Sequence, residues 1–85
     1  MVRIIMCGCN GKMGRVISDL AAEDTQAKIV AGVDFITEQY YDYPVYKSIM
    51  EVKEDADVVI DFSSPAKLSE RLAFSVEKKV PMVFC

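Results

Sequence analysis

The sequence predicts an α/β fold: a doubly wound parallel sheet with helices on both faces. Three observations carry that expectation. Short apolar runs recur at Ile4–Cys7, Lys28–Val33, Val58–Phe62 and Val80–Phe84, separated by segments with helical spacing or turn chemistry. These runs are apolar almost throughout instead of alternating, the pattern of strands buried on both faces of a parallel sheet. The first run passes directly through a glycine-spaced turn, Gly8-x-x-Gly11-x-x-Gly14, into a helical pattern.

Taken in order, the first strand is predicted over Ile4–Cys7. Met13, Val16, Ile17, Leu20 and Ala21 then fall at i, i+3, i+4, i+7 and i+8, one apolar stripe of a helix from about Lys12 to Ala22. Each glycine has a physical reason. Gly8 ends the strand where the chain turns sharply, Gly11 lets backbone come close to a bound pyrophosphate, and Gly14 lets the helix sit close on the strand. The N–H groups of the first helical turn, around Gly11 to Met13, lack intrahelical acceptors and point at an anion. Three of the chain's four glycines lie in these seven residues at a strand–helix junction, the context that gives such spacing meaning. The plainer alternative is a tight turn that holds no ligand.

The second strand, Lys28–Val33, closes on Asp34, twenty residues after Gly14. A dinucleotide fold places there the carboxylate that accepts hydrogen bonds from the adenosine ribose. Phe35 follows, where an enzyme that prefers a 2′-phosphate would often carry arginine. Ile36 to Pro44 reads as a loop, with Tyr40, Tyr41 and Tyr43 packed against the protein or, alternatively, flanking an adenine. Val45-Tyr46 fits a very short edge strand. Ser48 and Glu51 match a capping box, which predicts a short helix reaching about Glu54.

Val58–Phe62 is the third main strand. Ser64 suits an N-cap and Pro65 the first helical position, ahead of a buried stripe of Leu68, Leu72, Ala73 and Val76. Lys78 and Lys79 complement the C-terminal end of that helix. Val80–Phe84 is the last strand, with Cys85 after it. The topology that follows places the first strand centrally, Lys28–Val33 on one side, Val58–Phe62 on the other and Val80–Phe84 beyond. Ligand belongs at the carboxyl ends, where the order switches, and Gly8 to Met13, Asp34, Phe62 and Ser63 all fall on that edge. The expectation is a truncated Rossmann-like sheet of about four main strands plus a short edge strand, forming a single NAD(P)-binding domain over residues 1–85.

With 85 residues, 52% hydrophobic and 27% charged, the composition is that of one modest globular domain. Net charge is −3 and no basic cluster exceeds Lys78-Lys79, so no nucleic-acid partner is expected. No apolar stretch reaches membrane-spanning length and Met1-Val2-Arg3 leads straight into a strand, which predicts a cytoplasmic protein with no membrane partner. Cys7, Cys9 and Cys85 read as reduced thiols and not as metal ligands, because histidine is absent and there is no second cysteine pair. No nucleophile–base pair is visible, and no catalytic residue is assigned.

Two segments, Gly8-Cys9-Asn10-Gly11-Lys12-Met13-Gly14-Arg15 and Asp57-Val58-Val59-Ile60-Asp61-Phe62-Ser63-Ser64-Pro65, resemble motifs of the dihydrodipicolinate reductase family. The first is similar to its G-x-x-G-[RK]-M-G, the second to its D-V-[VL]-I-D-F-[ST]-x-P, and the resemblance to the family's N-terminal domain covers essentially the whole chain. It implies NADH- or NADPH-dependent reduction on the diaminopimelate route to lysine. By that resemblance Gly8, Cys9, Asn10, Gly11, Lys12 and Met13 bind the pyrophosphate, Asp34 the adenosine ribose, and Lys12 assists with a 2′-phosphate. Phe62 and Ser63 lie near the nicotinamide, and Cys85 stands where the family's G-T-T-G begins. The family's catalytic H-H-x-x-K-x-D-A-P-S-G-T has no counterpart here, so this chain is not expected to turn over alone. Full-length members are expected to be homo-tetramers built through a later domain. The domain of another amino-acid dehydrogenase is a competing reading, disfavoured by Lys12-Met13 and the D-F-S-S-P segment. A non-catalytic nucleotide sensor is a second, and the chain lacks the basic segment such proteins carry.

A 2′-phosphate beside Asp34 meets like-charge repulsion, with Lys12 the one nearby cation evident in the sequence. NADH is therefore expected to bind at least as well as NADPH. Parallel titrations check this, and a clearly tighter NADPH would overturn it.

Overall fold

The computed structural model describes residues 1–85. Its strands are β1 (Val2–Cys7), β2 (Ala27–Val33), β3 (Val45–Tyr46), β4 (Val58–Asp61) and β5 (Met82–Phe84). Two helices, α1 (Lys12–Ala22) and α2 (Leu68–Lys78), and a 3₁₀ turn over Ile49–Glu51 complete it. All pairings are parallel, and the five strands lie in the order β3-β2-β1-β4-β5. The expected fold class and strand order are thus observed. No helix is long and apolar enough to cross a membrane.

β1 is buried on both faces and divides the core in two. Ile4 and Met6 join Cys9, Ile29 and Tyr43, against which Ile17 and Ala21 of α1 pack. Ile5 and Cys7 join Ala31, Val33, Ile49, Val59, Phe74 and Val80, on the side covered by α2 and the 3₁₀ turn. A bulge makes this division possible. Ile4 pairs with Ile29 but Ile5 with Ala31, so Val30 is an extra residue in β2. Ile29 and Ala31, which strict alternation would put on one face, therefore serve opposite cores.

α1 has the predicted bounds but is rotated. Met13, Val16 and Leu20 are exposed, while the face against the sheet is Gly14, Ile17, Ser18 and Ala21. Close approach is the cause. A Cβ on Gly14 would lie 2.2 Å from the Gly8 carbonyl oxygen and 2.6 Å from that of Cys9. At such a separation only a glycine fits at the crossing point itself. The one polar group taken inside is satisfied, because Ser18 Oγ donates to the Gly14 carbonyl at 2.7 Å and pairs with Tyr43 Oη at 2.8 Å.

α2 departs further from expectation. It starts at Leu68 with Lys67 as N-cap, not at Pro65 behind a Ser64 cap, and its buried residues are Arg71 and Phe74. Leu72 and Val76 of the predicted stripe face solvent. The Arg71 guanidinium explains the late start, since it holds the Ser64 and Ala66 carbonyls at 2.8 Å and keeps that segment out of the helix. The Ser48–Glu51 capping box forms, but the chain turns extended at Val52 instead of continuing to Glu54. β4 ends at Asp61, and β5 begins after Pro81, which has no N–H to pair.

The tyrosine loop packs on α1. Tyr41 stacks on Tyr43 at 5.8 Å and donates to Asp19 at 2.6 Å, and Tyr40 lies under the Arg15 guanidinium at 4.2 Å. At the amino end of the sheet, Arg3 pairs with Asp57 at 3.0 Å and ties β1 to the segment entering β4. That pairing holds the Asp57 carboxyl well below the usual range, at about 2.

Gly14→Ala is expected to cost about 3 kcal/mol of stability, because the contacts its Cβ meets are backbone and cannot rotate away. Urea denaturation checks this; an unchanged midpoint would contradict the close docking of α1.

Candidate functional site

The carboxyl ends of β1, β2 and β4 meet around a crevice of about 260 Å³. Gly8 is the point of contact among them. Its φ of +78° favours glycine, its N–H donates to Val33 at 2.8 Å, and a Cβ would stand 3.0 Å from the Ser63 nitrogen. Gly11 differs: a Cβ there would meet only the Gly8 carbonyl oxygen, at 3.4 Å, so the space over this turn is open. Arg15 is the first residue of α1 whose N–H finds a backbone acceptor, Gly11 at 3.0 Å, and no side chain caps the helix. The N–H groups of Lys12, Met13 and Gly14 are left free for an anion. Open space above unpaired donors fits a pyrophosphate.

Asp34 projects from the end of β2 into the same crevice. One carboxylate oxygen accepts from the Asn10 N–H at 3.0 Å and the other from the Ile36 N–H at 3.2 Å. A carboxylate oxygen has room for a second donor, so Asp34 fixes the glycine turn and still offers acceptors. Asn10 completes the tie, with Nδ2 donating to the Ile36 and Glu38 carbonyls at 2.6 and 2.9 Å. Its Oδ1 is buried without a partner.

The opposite wall rests on a buried ion pair. Asp61, 3% exposed, accepts from Arg71 Nε at 2.6 Å, and Arg71 is 6% exposed. The other Asp61 oxygen accepts from the Ser63 N–H at 2.8 Å and from the Ser63 hydroxyl. With Arg71 also holding Ser64 and Ala66, one guanidinium fixes the whole turn between β4 and α2.

Of the residues singled out in the sequence, Gly8, Gly11, Asp34, Phe62 and Ser63 line the crevice together. Phe62 and Ser63 share it with Asp34 and Phe35. Lys12 and Met13 lie exposed at the start of α1, off the crevice wall, and the Asn10 side chain is spent on the neighbouring loop. Cys9 is fully buried in the core beneath α1. Cys85 is exposed beyond β5, its N–H on the Asp61 carbonyl at 3.0 Å. Sequence reasoning missed Lys47, Ser48, Lys67 and Arg71, all lining residues. Arg71 had a signal: an aspartate ending an apolar strand needs a buried cation, and the next helix supplies one. The lysines had none, because a loop's path decides where they project.

The sheet switches order at β1, a glycine turn precedes a helix, and a carboxylate stands at the next strand end. These features define a dinucleotide-binding fold of the Rossmann-like class. The chain belongs to the dihydrodipicolinate reductase family, whose N-terminus model matches residues 2–85. It is 44% identical over 85 residues to the 4-hydroxy-tetrahydrodipicolinate reductase of Clostridium tetani, covering all of this chain and 33% of that protein. To the enzyme of the same name from Caldanaerobacter subterraneus it is 47% identical over 83 residues, 98% of this chain and 33% of the relative. The chain thus spans about a third of the length of these relatives.

Among solved structures, a dihydrodipicolinate reductase from Paenisporosarcina sp. TG-14 superposes with a TM-score of 0.83 at 22% identity, over 99% of this chain and 37% of the other. A myo-inositol dehydrogenase from Corynebacterium glutamicum gives 0.81 at 21% identity, over 99% of this chain and 27% of that one. At these identities the likeness is one of fold.

The three cysteines are unpaired. Burial, with Asp61 adding, pushes the Cys7 thiol up to about 12; burial, with Asp34 adding, pushes Cys9 up to about 11. At pH 8 iodoacetamide is expected to modify Cys85 alone in the folded chain, and all three thiols in urea. Mass spectrometry of a time course checks this; modification of Cys9 at the rate of Cys85 would contradict its place in the core.

Proposed function

We propose that this chain holds a nicotinamide dinucleotide along the carboxyl edge of its sheet, as the cofactor-binding part of an NAD(P)H-dependent reductase. The observation that carries the reading is that Gly8, the open face of Gly11 and the Asp34 carboxylate line one crevice, and that the helix starting just after Gly11 has three N–H groups without a backbone acceptor. Family membership, and relatives named 4-hydroxy-tetrahydrodipicolinate reductase, support the same substrate and a place on the diaminopimelate route to lysine.

When bound, such a cofactor supplies a hydride to the substrate. The chain's own residues bind and orient it. The N–H groups of Lys12 to Gly14 hold the pyrophosphate, Asp34 accepts from the adenosine ribose, and Gly8 lets the glycine turn lie close against Phe62 and Ser63. Cys9 and Asn10 shape the turn from beneath, and Phe62, Ser63 and Cys85 flank the nicotinamide side. Residues 1–85 act as one NAD(P)-binding domain. Substrate contacts, proton donors and tetramer assembly belong to the part of the relatives that this chain does not span. Unpaired thiols support a reducing, cytoplasmic setting. A net charge of −3 supports the absence of a nucleic-acid partner.

Nicotinamide fluorescence on titrating NADH tests the reading. Saturable binding is expected, weakened about tenfold or more by Asp34→Ala, since a hydrogen bond to a charged group contributes about 1.5–3 kcal/mol. Circular dichroism confirms that the variant is folded. A folded wild-type chain without saturable binding would overturn the proposal, as would binding indifferent to Asp34.

A further inference from the structure

Phe35 leaves the position after Asp34 without a cation, and Lys12 does not line the crevice. Two other lysines do. Lys47 comes from the loop after β3 and Lys67 from the turn before α2, and neither takes part in an ion pair. Asp34 is the only carboxylate among the lining residues, so the crevice wall carries one negative charge against two uncommitted positive ones. The remaining cation, Arg71, is neutralised by Asp61.

Lys67 is held against its own backbone preference. Its φ of 59° and ψ of 22° lie in the left-handed region, and it is the N-cap of α2, where a cation faces the positive end of the helix dipole. A glycine, asparagine or aspartate would suit both conditions better. The Arg71 grip on the Ser64 and Ala66 carbonyls imposes this turn. The result places the Lys67 ammonium 5.6 Å from the centre of the Phe35 ring, in the crevice that Asp34 also lines. A strained residue whose side chain reaches a crevice is a ground for a hypothesis of function.

We propose that Lys67, with Lys47 on the same crevice wall, is the cation that admits a dinucleotide bearing a 2′-phosphate, in place of the arginine that stands after the carboxylate in 2′-phosphate-preferring folds. Phe35 gives the lysine an aromatic face to rest on. When the phosphate enters, the ammonium moves from the ring to the phosphate and offsets its repulsion by Asp34. The chain then accepts both cofactors, with Lys67 setting the ratio. This rests on the dinucleotide reading above.

The test titrates NADPH and NADH separately into the wild-type chain, Lys67→Gly and Lys67→Asn. Both replacements tolerate the left-handed backbone, so neither is expected to lower the melting temperature. NADPH should weaken about tenfold or more in both variants, with NADH unchanged within about twofold. An NADPH-to-NADH ratio the same as wild type would overturn the assignment. So would equal weakening of both cofactors, which would mark Lys67 as a support of the loop. A wild-type chain that binds NADH but shows no measurable NADPH binding would overturn this inference alone. One that binds neither would overturn the dinucleotide reading, and this inference with it.

Discussion

Where α1 crosses the end of β1, only the hydrogen atoms of Gly14 separate the helix from the carbonyls of Gly8 and Cys9. That approach sets the position of α1, and with it the direction of the free N–H groups at its start. It also brings the Gly8 turn under the β4 exit, within contact of Phe62 and Ser63. Ile17, Ser18 and Ala21 make the rest of the interface, and Ser18 closes its one polar group through Gly14 and Tyr43. The apolar residues thereby excluded from the interface, Met13, Val16 and Leu20, are left facing solvent.

The second fixed point is the Asp61–Arg71 pair. Buried ion pairs contribute little net stability relative to an apolar pair, but breaking one strands a charge at a cost of about 3–5 kcal/mol. Its consequence here is geometric. Three donors of one guanidinium hold Asp61, Ser64 and Ala66, and the remaining Asp61 oxygen holds Ser63. The turn between β4 and α2 is thus set by side chains in place of regular backbone pairing, and α2 starts three residues later than its proline suggests. The same turn forces Lys67 into the left-handed region.

Much of this was legible in the residues. Apolar runs marked each main strand, because parallel strands buried on both faces leave little room for polar residues. The glycine spacing located the start of α1, and the twenty-residue interval picked out Asp34 at the end of β2. Helix faces were not legible. Apolar periodicity assumes that large side chains go inside, whereas α1 docks on Gly14 and Ser18 and α2 buries Arg71. The bulge at Val30 was hidden too, since an extra residue in an apolar strand leaves the pattern apolar.

By itself, then, the sequence determined the order and kind of the elements, the glycine turn, and the carboxylate at the end of β2. All of these follow from local spacing and the steric demands of single residues. Tertiary structure alone decided which face each helix buries, how the β4–α2 turn runs, and that Lys47 and Lys67 share a crevice with Asp34. Those outcomes depend on contacts between residues distant in the chain, such as Asp61 with Arg71 and Gly14 with Gly8. Such contacts leave no periodic trace in the sequence.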